Sequence, residues 1–284
     1  MIDGHTKLYG LLAHPAAHSL SPLIHNNSFQ INNINSVYLA FDVTSKNLQK
    51  AVDAIRAMEL GGVNLSMPLK TDVIPMLDEV TPRAKRLNAV NTIVNHDGHL
   101  TGDSTDGDGF INSLKNDGIF VKNQNITIFG AGGAGRAIIS ACIDAAAKKI
   151  TVFKRNNDSF ESRKAQLESW SDKVSVVPYD NEKLMVDSVD SSSIIANTTN
   201  VGMAGEQKKP VSDEIISHFN SNKTVVDVIY FPLETPFLKA AAKTGARTYN
   251  GLGMLVYQAA SSFNEWTNTD MPVQKIISIV KKNV

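Results

Sequence analysis

A single cysteine, Cys142, occurs in the 284 residues of the chain. That count excludes an internal disulfide and a thiolate metal cluster, and Cys142 falls in an alanine-rich helical pattern where buried packing is its expected role. Runs of like charge are missing as well: 28 basic residues face 28 acidic ones, and no five consecutive residues share a sign. Nothing here would grip a nucleic-acid backbone or an anionic membrane surface, so the expected partner is a small molecule. No stretch approaches the ~18 consecutive apolar residues of a membrane span, and the opening MIDGHTKLYG lacks the apolar core of a secretory leader. A cytoplasmic setting is therefore expected. His14, His18 and His25 are irregularly spaced and no paired-histidine motif accompanies them, so no metal site is expected.

The stretch NITIFGAGGAGR, Asn125 to Arg136, organises the rest. Asn125 to Phe129 is a short β-branched apolar run suited to a buried parallel strand, and Ala137 to Ala147 can run as a helix. Between them stand Gly130, Gly132, Gly133 and Gly135. A dinucleotide needs a turn tight enough to reverse the chain and bare enough for backbone N–H groups to meet a pyrophosphate at the positive end of a helix. Strand, glycine turn and helix in that order point to a nucleotide site; a plain helix entry is the structural alternative.

The length suits two domains at the usual ~150 residues each. Before the glycine turn, strand and helix patterns alternate: strand Lys7 to Ala13, a helix from Ser21, strand Val37 to Val43, the amphipathic Leu48 to Met58, and strand Gly62 to Met67. Asn91 to Val94 and Leu100 to Gly102 flank the hairpin turn Asp97-Gly98, which makes the first sheet mixed. A helix from Gly107 to Gly118 leads into the second domain. Beyond the turn, strands over Lys149 to Phe153, Val174 to Val177, Ser193 to Ala196, Thr224 to Ile229 and Ala246 to Tyr249 continue a doubly wound series, with Asp187 to Ser193 a loop or helix end. The last helices, Met254 to Trp266 and Val273 to Val280, are expected to return to the first domain. The expected fold is α/β in two domains: an N-terminal α/β domain with a mixed sheet, 1–106, completed by helices in 252–284, and a Rossmann-like doubly wound nucleotide domain, 107–251.

Substrate chemistry is sought at strand ends and turns of the first domain. In HSLSP, Ser21 is read as a helix N-cap with Pro22 at the first helical position, which leaves Ser19 free for a ligand hydroxyl or carboxylate, or as an ordinary loop serine. NLSMPLK sets Lys70 just after a proline-bearing turn at the end of a buried strand. Most lysines are solvated surface groups, but one facing a cleft loses hydration and can exchange a proton near neutrality. The hairpin ends Asn88 to Thr92 and Gly102 to Gly107 come together when paired, carrying Asn91, Asp103 and Asp106; turn formation or capping is the commoner fate of such aspartates.

Eight motifs in order then carry a resemblance over nearly the whole chain: HSLSP at 18–22, NLSMPLK at 64–70, AVNT at 89–92, GDSTDG at 102–107, GAGGAGRA at 130–137, NTTNVGM at 197–203, DVIYFPLETPFL at 227–238 and NGLGMLVYQA at 250–259. The chain resembles the shikimate dehydrogenase family, including its quinate/shikimate branch. The resemblance implies a substrate domain clasping a Rossmann-like domain, and reversible NAD(P)H-dependent reduction of 3-dehydroshikimate to shikimate on the way to chorismate and the aromatic amino acids. Carried over by position, Ser19, Ser21 and Tyr230 hold the substrate carboxylate; Ser66, Asn91, Asp106 and Gln258 hold ring hydroxyls; Lys70 is general acid and base with Asp106 as its partner. The cofactor set becomes Gly130, Ala131, Gly132, Gly133, Ala134, Gly135, Lys154, Arg155, Asp158, Thr198, Val228 and Gly251. A protonated amine at the reacting oxygen would both stabilise the developing alkoxide and deliver its proton, worth about 10²- to 10⁴-fold.

Three positions depart from the family pattern. Ser66 stands where threonine is usual, leaving room for the extra hydroxyl of quinate; Ser104 and Phe231 each replace an asparagine. After the second nucleotide strand, Lys154 and Arg155 suit the 2′-phosphate of NADP(H), whereas Asp158 curling back to a ribose would suit NAD(H). The alternatives are a quinate/shikimate dehydrogenase using mainly NAD and, from another class, a nucleotide-sensing protein without chemistry; a monomer and a homodimer are both compatible with the sequence.

Overall fold

The computed structural model describes residues 2–283, so Met1 and Val284, which end the expected domain ranges, lie outside the described residues. The chain folds into two compact units, one holding the described residues up to Gly109 together with Val256–Asn283, the other Phe110–Leu255.

The first unit begins with β1 (Lys7–Ala13), α1 (Ser21–Ile31), β2 (Ser36–Asp42), α2 (Leu48–Ala57) and β3 (Gly62–Leu65). It continues through α3 (Leu69–Asp72), β4 (Glu79–Val80), α4 (Pro82–Leu87), β5 (Thr92–His96) and β6 (His99–Asp103) to the start of α5 (Asp106–Asn116). Among the described residues its sheet has six strands in the order β2-β1-β3-β5-β6-β4. β1 pairs parallel with β2 and β3, while β3-β5 and β5-β6 are antiparallel. The sheet is mixed because Asp97-Gly98 turns the chain straight back, Asp97 and Gly98 both adopting positive φ, at 50° and 90°. Neither β4 nor α4 is visible in the sequence pattern, since two and six residues are too short to show a period.

An apolar cluster of Leu12, Val52, Ile55, Val63, Leu69, Val73 and Ile93 forms one core of this unit. Aromatic rings form a second: His25 stacks on Tyr38 at 4.5 Å, Phe29 meets Phe263 at 5.3 Å and Tyr9 meets Trp266 at 5.1 Å. Burial pushes the His25 imidazole down to about 3, so it packs as a neutral ring. Phe263 and Trp266 belong to α11 (Leu252–Thr267), which α12 (Val273–Lys281) follows.

In the second unit the elements are β7 (Asn125–Phe129), α6 (Gly133–Asp144), β8 (Lys149–Lys154), α7 (Phe160–Glu168), β9 (Val174–Pro178) and α8 (Glu182–Ser191). After them come β10 (Ile194–Asn197), α9 (Asp213–Ser217), β11 (Thr224–Asp227), α10 (Pro236–Lys243) and β12 (Arg247–Tyr249). Among the described residues six strands pair in the order β12-β11-β10-β7-β8-β9. Every pairing is parallel. The order reverses between β7 and β10, the switch point outside which a doubly wound sheet binds its ligand. Strands with this little polarity are covered on both faces: Ile126, Ile128, Ile138, Ile150 and Val152 fill one core, Phe129, Phe153, Ile195, Val225 and Phe237 the other. Cys142 is fully buried in the first of these.

The span Asp187 to Ser193, read as a loop or helix end, is the end of α8 through Ser191 and the link to β10. Residues 107–109 and 252–255 fall across the division of the units, because both boundaries run inside continuous helices, α5 and α11.

Phe263 is completely buried. Phe263→Ala is predicted to cost about 3–5 kcal/mol of unfolding free energy in urea denaturation; a loss below about 1 kcal/mol would show that the ring is not part of this core.

Candidate active site and nucleotide cradle

At the end of β3 the chain turns through Ser66, Met67 and Pro68 into α3, whose second residue is Lys70. Its ammonium donates to Asp106 Oδ2 at 2.7 Å, and the two side chains are 27% and 13% exposed. Asp106 opens α5, where a carboxylate also meets the positive end of the helix. The pair is ordered by Asn91, which immediately precedes β5. Asn91 Nδ2 donates to the other carboxylate oxygen of Asp106 at 2.7 Å, and lies 3.0 Å from Thr105 Oγ1 and 3.4 Å from Gln258 Oε1. Asn91 Oδ1 accepts from the Thr105 N–H and the Thr92 hydroxyl, both at 2.9 Å. Lys70, Asn91, Asp106 and Gln258 are thus one hydrogen-bonded set.

Behind this set is a buried polar layer that sequence reasoning missed. Asn64 Nδ2 faces the Asn91 carbonyl, Thr92 Oγ1 and Ser262 Oγ at 3.1, 3.2 and 3.1 Å. Its Oδ1 accepts from the Tyr38 hydroxyl at 2.8 Å. Ser262 Oγ lies 2.7 Å from Thr92 Oγ1 and 3.3 Å from Thr105 Oγ1. The partners come from β2, β3, the start of β5, the turn before α5 and α11, so spacing along the chain carries no trace of the layer. The usable signal is weaker: Asn64 interrupts a strand that is otherwise apolar, and a buried polar group demands a partner.

Ser19 and Ser21 are placed together, but not as expected. The residue capping α1 is Leu20, with no side-chain cap, and Ser21 is already helical. Ser19 Oγ accepts the Ser21 N–H at 3.2 Å, taking the capping role assigned to Ser21. The shift has a simple cause: Ser19 stands two residues ahead of Ser21, the offset at which a serine hydroxyl reaches forward to a backbone N–H. The Ser21 hydroxyl interacts instead with Tyr38. Ser66 and Tyr230 are half-buried and make no side-chain hydrogen bond among the described residues. Phe231 is 56% exposed.

In the second unit, Gly130 takes φ +104°, a value open only to glycine without strain. A Cβ on Gly135 would stand 2.6 Å from the Gly130 carbonyl and 2.7 Å from Thr198 Oγ1. Helix and strand therefore approach more closely than any side chain would allow. The helix starts at Gly133, four residues before the expected Ala137, because the last glycines form its first turn. Beside Gly132 and Gly133 a Cβ would meet nothing within 4 Å. Open space beside the free N–H groups of a 12-residue helix fits the pyrophosphate of a dinucleotide. Buried Ala131 and half-buried Ala134 complete the turn. Thr198 Oγ1 donates to the Phe129 and Gly130 carbonyls, both at 3.0 Å, bracing it from β10. Gly251 donates its N–H to the Ile229 carbonyl at 2.9 Å, and a Cβ there would stand 1.9 Å from the Val228 carbonyl.

After β8 the expected cofactor residues separate. Lys154 is 8% exposed, and its ammonium is folded back onto Asn157 Oδ1 at 2.6 Å and the Arg155 carbonyl at 3.2 Å. Its pKa is lowered, first by burial and then by Arg163 and Arg155. Arg155 and Asp158 are exposed, and Asp158 makes no hydrogen bond among the described residues. Arg136 is likewise lowered, by burial and then by Arg163. Positive charge thus gathers here from Arg136 and Arg163 as well, neither legible from the strand-end tripeptide.

Asp227, at the end of β11, is also buried. Its Oδ1 accepts from Asn197 Nδ2 at 3.0 Å and the Ile229 N–H at 3.2 Å, and its Oδ2 from the hydroxyl of Thr235, the N-cap of α10, at 2.7 Å. These bonds tie together the loops after β10 and β11, yet burial still raises the carboxyl from 3.8 to about 6.

Among the described residues there is no group of three or more His, Cys, Asp or Glu that could hold a metal ion. No helix among them is long and apolar enough to cross a membrane. One unit with a lysine–carboxylate pair in a polar layer and one doubly wound unit with a bare glycine turn define an α/β enzyme of the nicotinamide-dependent kind. Comparison with known proteins gives the family. The shikimate dehydrogenase substrate binding domain matches residues 11–93, and the shikimate 5′-dehydrogenase C-terminal domain matches residues 251–281. The shikimate dehydrogenase (NADP(+)) of Lactococcus lactis subsp. cremoris is 40% identical over 297 residues, covering 100% of this chain and 99% of that one. That of Streptococcus mutans is 43% identical, covering 99% and 98%. The crystal structure of shikimate 5-dehydrogenase from Listeria monocytogenes, in complex with shikimate and NAD, superposes with a TM-score of 0.93 at 39% identity over 98% of each chain. The chain belongs to the shikimate dehydrogenase family.

Because the folded-state pKa of Asp227 is raised, its contribution to stability is fully present below about 3.8 and is lost as pH rises through about 6. Urea unfolding between pH 4 and pH 7 should therefore show wild type losing stability relative to Asp227→Asn as pH rises; parallel curves would mean that the carboxyl is not raised.

Proposed function

We propose that the chain catalyses the reversible NAD(P)H-dependent reduction of 3-dehydroshikimate to shikimate. Family membership supports the reaction, and the 2.7 Å contact between Lys70 and Asp106 within the Asn91–Gln258 set is the observation that supports these residues as its machinery. A bound nicotinamide dinucleotide supplies the reducing equivalent, and Gly130, Ala131, Gly132, Gly133, Ala134, Gly135, Thr198, Val228 and Gly251 are the residues that would hold it.

Everything else falls to side chains of the chain. Lys70 gives its proton to the ketone oxygen as negative charge develops there, and takes one from the hydroxyl in the reverse direction. Asp106 holds the ammonium in place by its hydrogen bond, and Asn91 holds Asp106 by its second oxygen. Ser66, Asn91, Asp106 and Gln258 offer a set of donors and acceptors for ring hydroxyls, and Ser19 and Ser21 offer hydroxyls for a carboxylate. A protein that only sensed nucleotide would need none of this. The positive charge of Arg136, Lys154, Arg155 and Arg163 supports NADP(H) over NAD(H), and Arg155, the exposed member of the four, is the one a 2′-phosphate would reach from solvent. The reading places the enzyme in chorismate and aromatic amino-acid biosynthesis.

Purified protein mixed with shikimate or quinate and each of NADP⁺ and NAD⁺ should develop the near-ultraviolet absorbance of reduced nicotinamide, most efficiently with shikimate and NADP⁺; silence in all four mixtures would overturn the proposal. Arg155→Ala should raise KM for NADP⁺ by about tenfold while leaving that for NAD⁺ almost unchanged, and an equal effect on both would remove Arg155 from 2′-phosphate recognition.

A further inference from the structure

We propose that Arg83 is a positioning residue for the Asp106 carboxylate: by gripping Asp103 and Asp108 at once, it fixes the turn between them on which Asp106 stands. The inference rests on the role given to Asp106 above.

The sequence GDSTDGDG puts three carboxylates within six residues. Asp103 ends β6, Asp106 opens α5 and Asp108 lies in its first turn. Left to themselves three like charges this close would spread apart, and the turn carrying the middle one would move with them. Arg83, in the first turn of α4, prevents this. Its Nε donates to Asp103 Oδ1 at 2.6 Å and its Nη2 to Asp103 Oδ2 at 2.5 Å, a two-pronged grip, while Nη1 makes a short bond to Asp108 Oδ2. Nη2 also reaches Glu265 Oε1 on α11 at 3.1 Å.

The shape of the guanidinium gives the grip its meaning. Its donors are fixed in one plane, so two carboxylates bound to it are held at a set separation. Asp103 is anchored independently: Oδ1 also accepts from the Thr81 hydroxyl at 2.5 Å and the Ser104 N–H at 2.7 Å, and the Asp103 carbonyl accepts the Asn91 N–H at 2.9 Å. Through the guanidinium, that anchored position is passed to Asp108 and so to the helix turn that begins with Asp106. The bonds recorded for Asp106 go to Lys70 and Asn91 instead. Charge is sorted accordingly: Arg83 takes the flanking pair and Asp106 is left to the lysine. Glu265 does not upset the balance, because burial and then the Asp103 charge raise its carboxyl to about 8, so that it is mostly neutral at pH 7.

Arg83→Lys keeps the charge and loses the planar fork, Arg83→Met loses both, and Asp108→Asn weakens one arm at a position that is 38% exposed and tolerant of change. With shikimate and NADP⁺, both Arg83 variants should lower kcat by about tenfold or more, and Asp108→Asn by about threefold, while the dissociation constant for NADP⁺, measured by fluorescence, stays unchanged. Arg56→Met is the control for plain destabilisation: it breaks a comparable bridge to Asp78 beside the hairpin turn, and should lower the melting temperature while leaving kcat at the wild-type value. Wild-type kcat in Arg83→Lys would overturn the inference. So would an equal loss of kcat in Arg56→Met. If Arg83→Met does not fold, Asp108→Asn decides, and full turnover there would likewise overturn it. Lys70→Ala and Asp106→Asn keep the two readings apart: full turnover in both would sink the role of Asp106 itself, whereas loss in both beside a wild-type Arg83→Lys would sink only the role of Arg83.

Discussion

A 2.7 Å hydrogen bond joins the Lys70 ammonium to Asp106 Oδ2, and neither group would hold that position without the strands behind it. Lys70 comes from the turn after β3 and Asp106 from the turn after β6. They meet because β5 lies between those strands and pairs antiparallel with both. Asn91, which leads into β5, then bonds the second oxygen of Asp106. A lone half-buried lysine or aspartate would be costly, whereas the two together satisfy each other. The mixed sheet is thus the device that brings an amine and an acid, 36 residues apart, into one hydrogen-bonded pair.

Such a pair constrains its surroundings. Thr92, Thr105 and Ser262 are buried hydroxyls, and an unmade bond at any of them would cost about 1–3 kcal/mol. Asn64 joins Thr92 and Ser262 to the Asn91 carbonyl, and Ser262 brings α11 into the same layer. Removing that helix would therefore do more than uncover the aromatic core around Phe263; it would leave polar atoms unpaired directly behind Asn91. Stability and site geometry rest on the same contacts in this unit. In the second unit the corresponding constraint is bareness: the turn after β7 works because Gly130 and Gly135 admit a backbone approach that any Cβ would block.

Much of this is legible from local pattern. A β-branched run, four glycines and a helix announce the strand, bare turn and helix because all the physics lies within about twenty residues. The motifs carrying Lys70, Asn91 and Asp106 stand out as polar strand ends, and the Asp97-Gly98 turn tells that two of them converge. Pattern misleads where geometry is finer than it. Ser21 has the sequence setting of a cap, but the helix has already begun there and Ser19 bonds its N–H. The helix after the glycine turn begins at Gly133 rather than Ala137, since glycine's low helix propensity says nothing about whether a ligand-facing first turn needs it. Lys154 has the position of a phosphate ligand, yet its amine is spent on Asn157. The Arg83 grip and the Asn64–Ser262 layer stay hidden for another reason: their partners lie up to 198 residues apart, and no single stretch of sequence encodes a contact of that range.

The central claim is that Lys70 and Asp106 act as one unit in proton transfer, and a double-mutant cycle on kcat tests it most directly. Lys70→Ala, Asp106→Asn and the double variant would be compared with wild type at saturating shikimate and NADP⁺. Two residues that work only together give losses far from additive, so the double variant should be no slower than the slower single one, within about twofold. If the two single losses instead multiply in the double variant, Lys70 and Asp106 act independently and the account is contradicted.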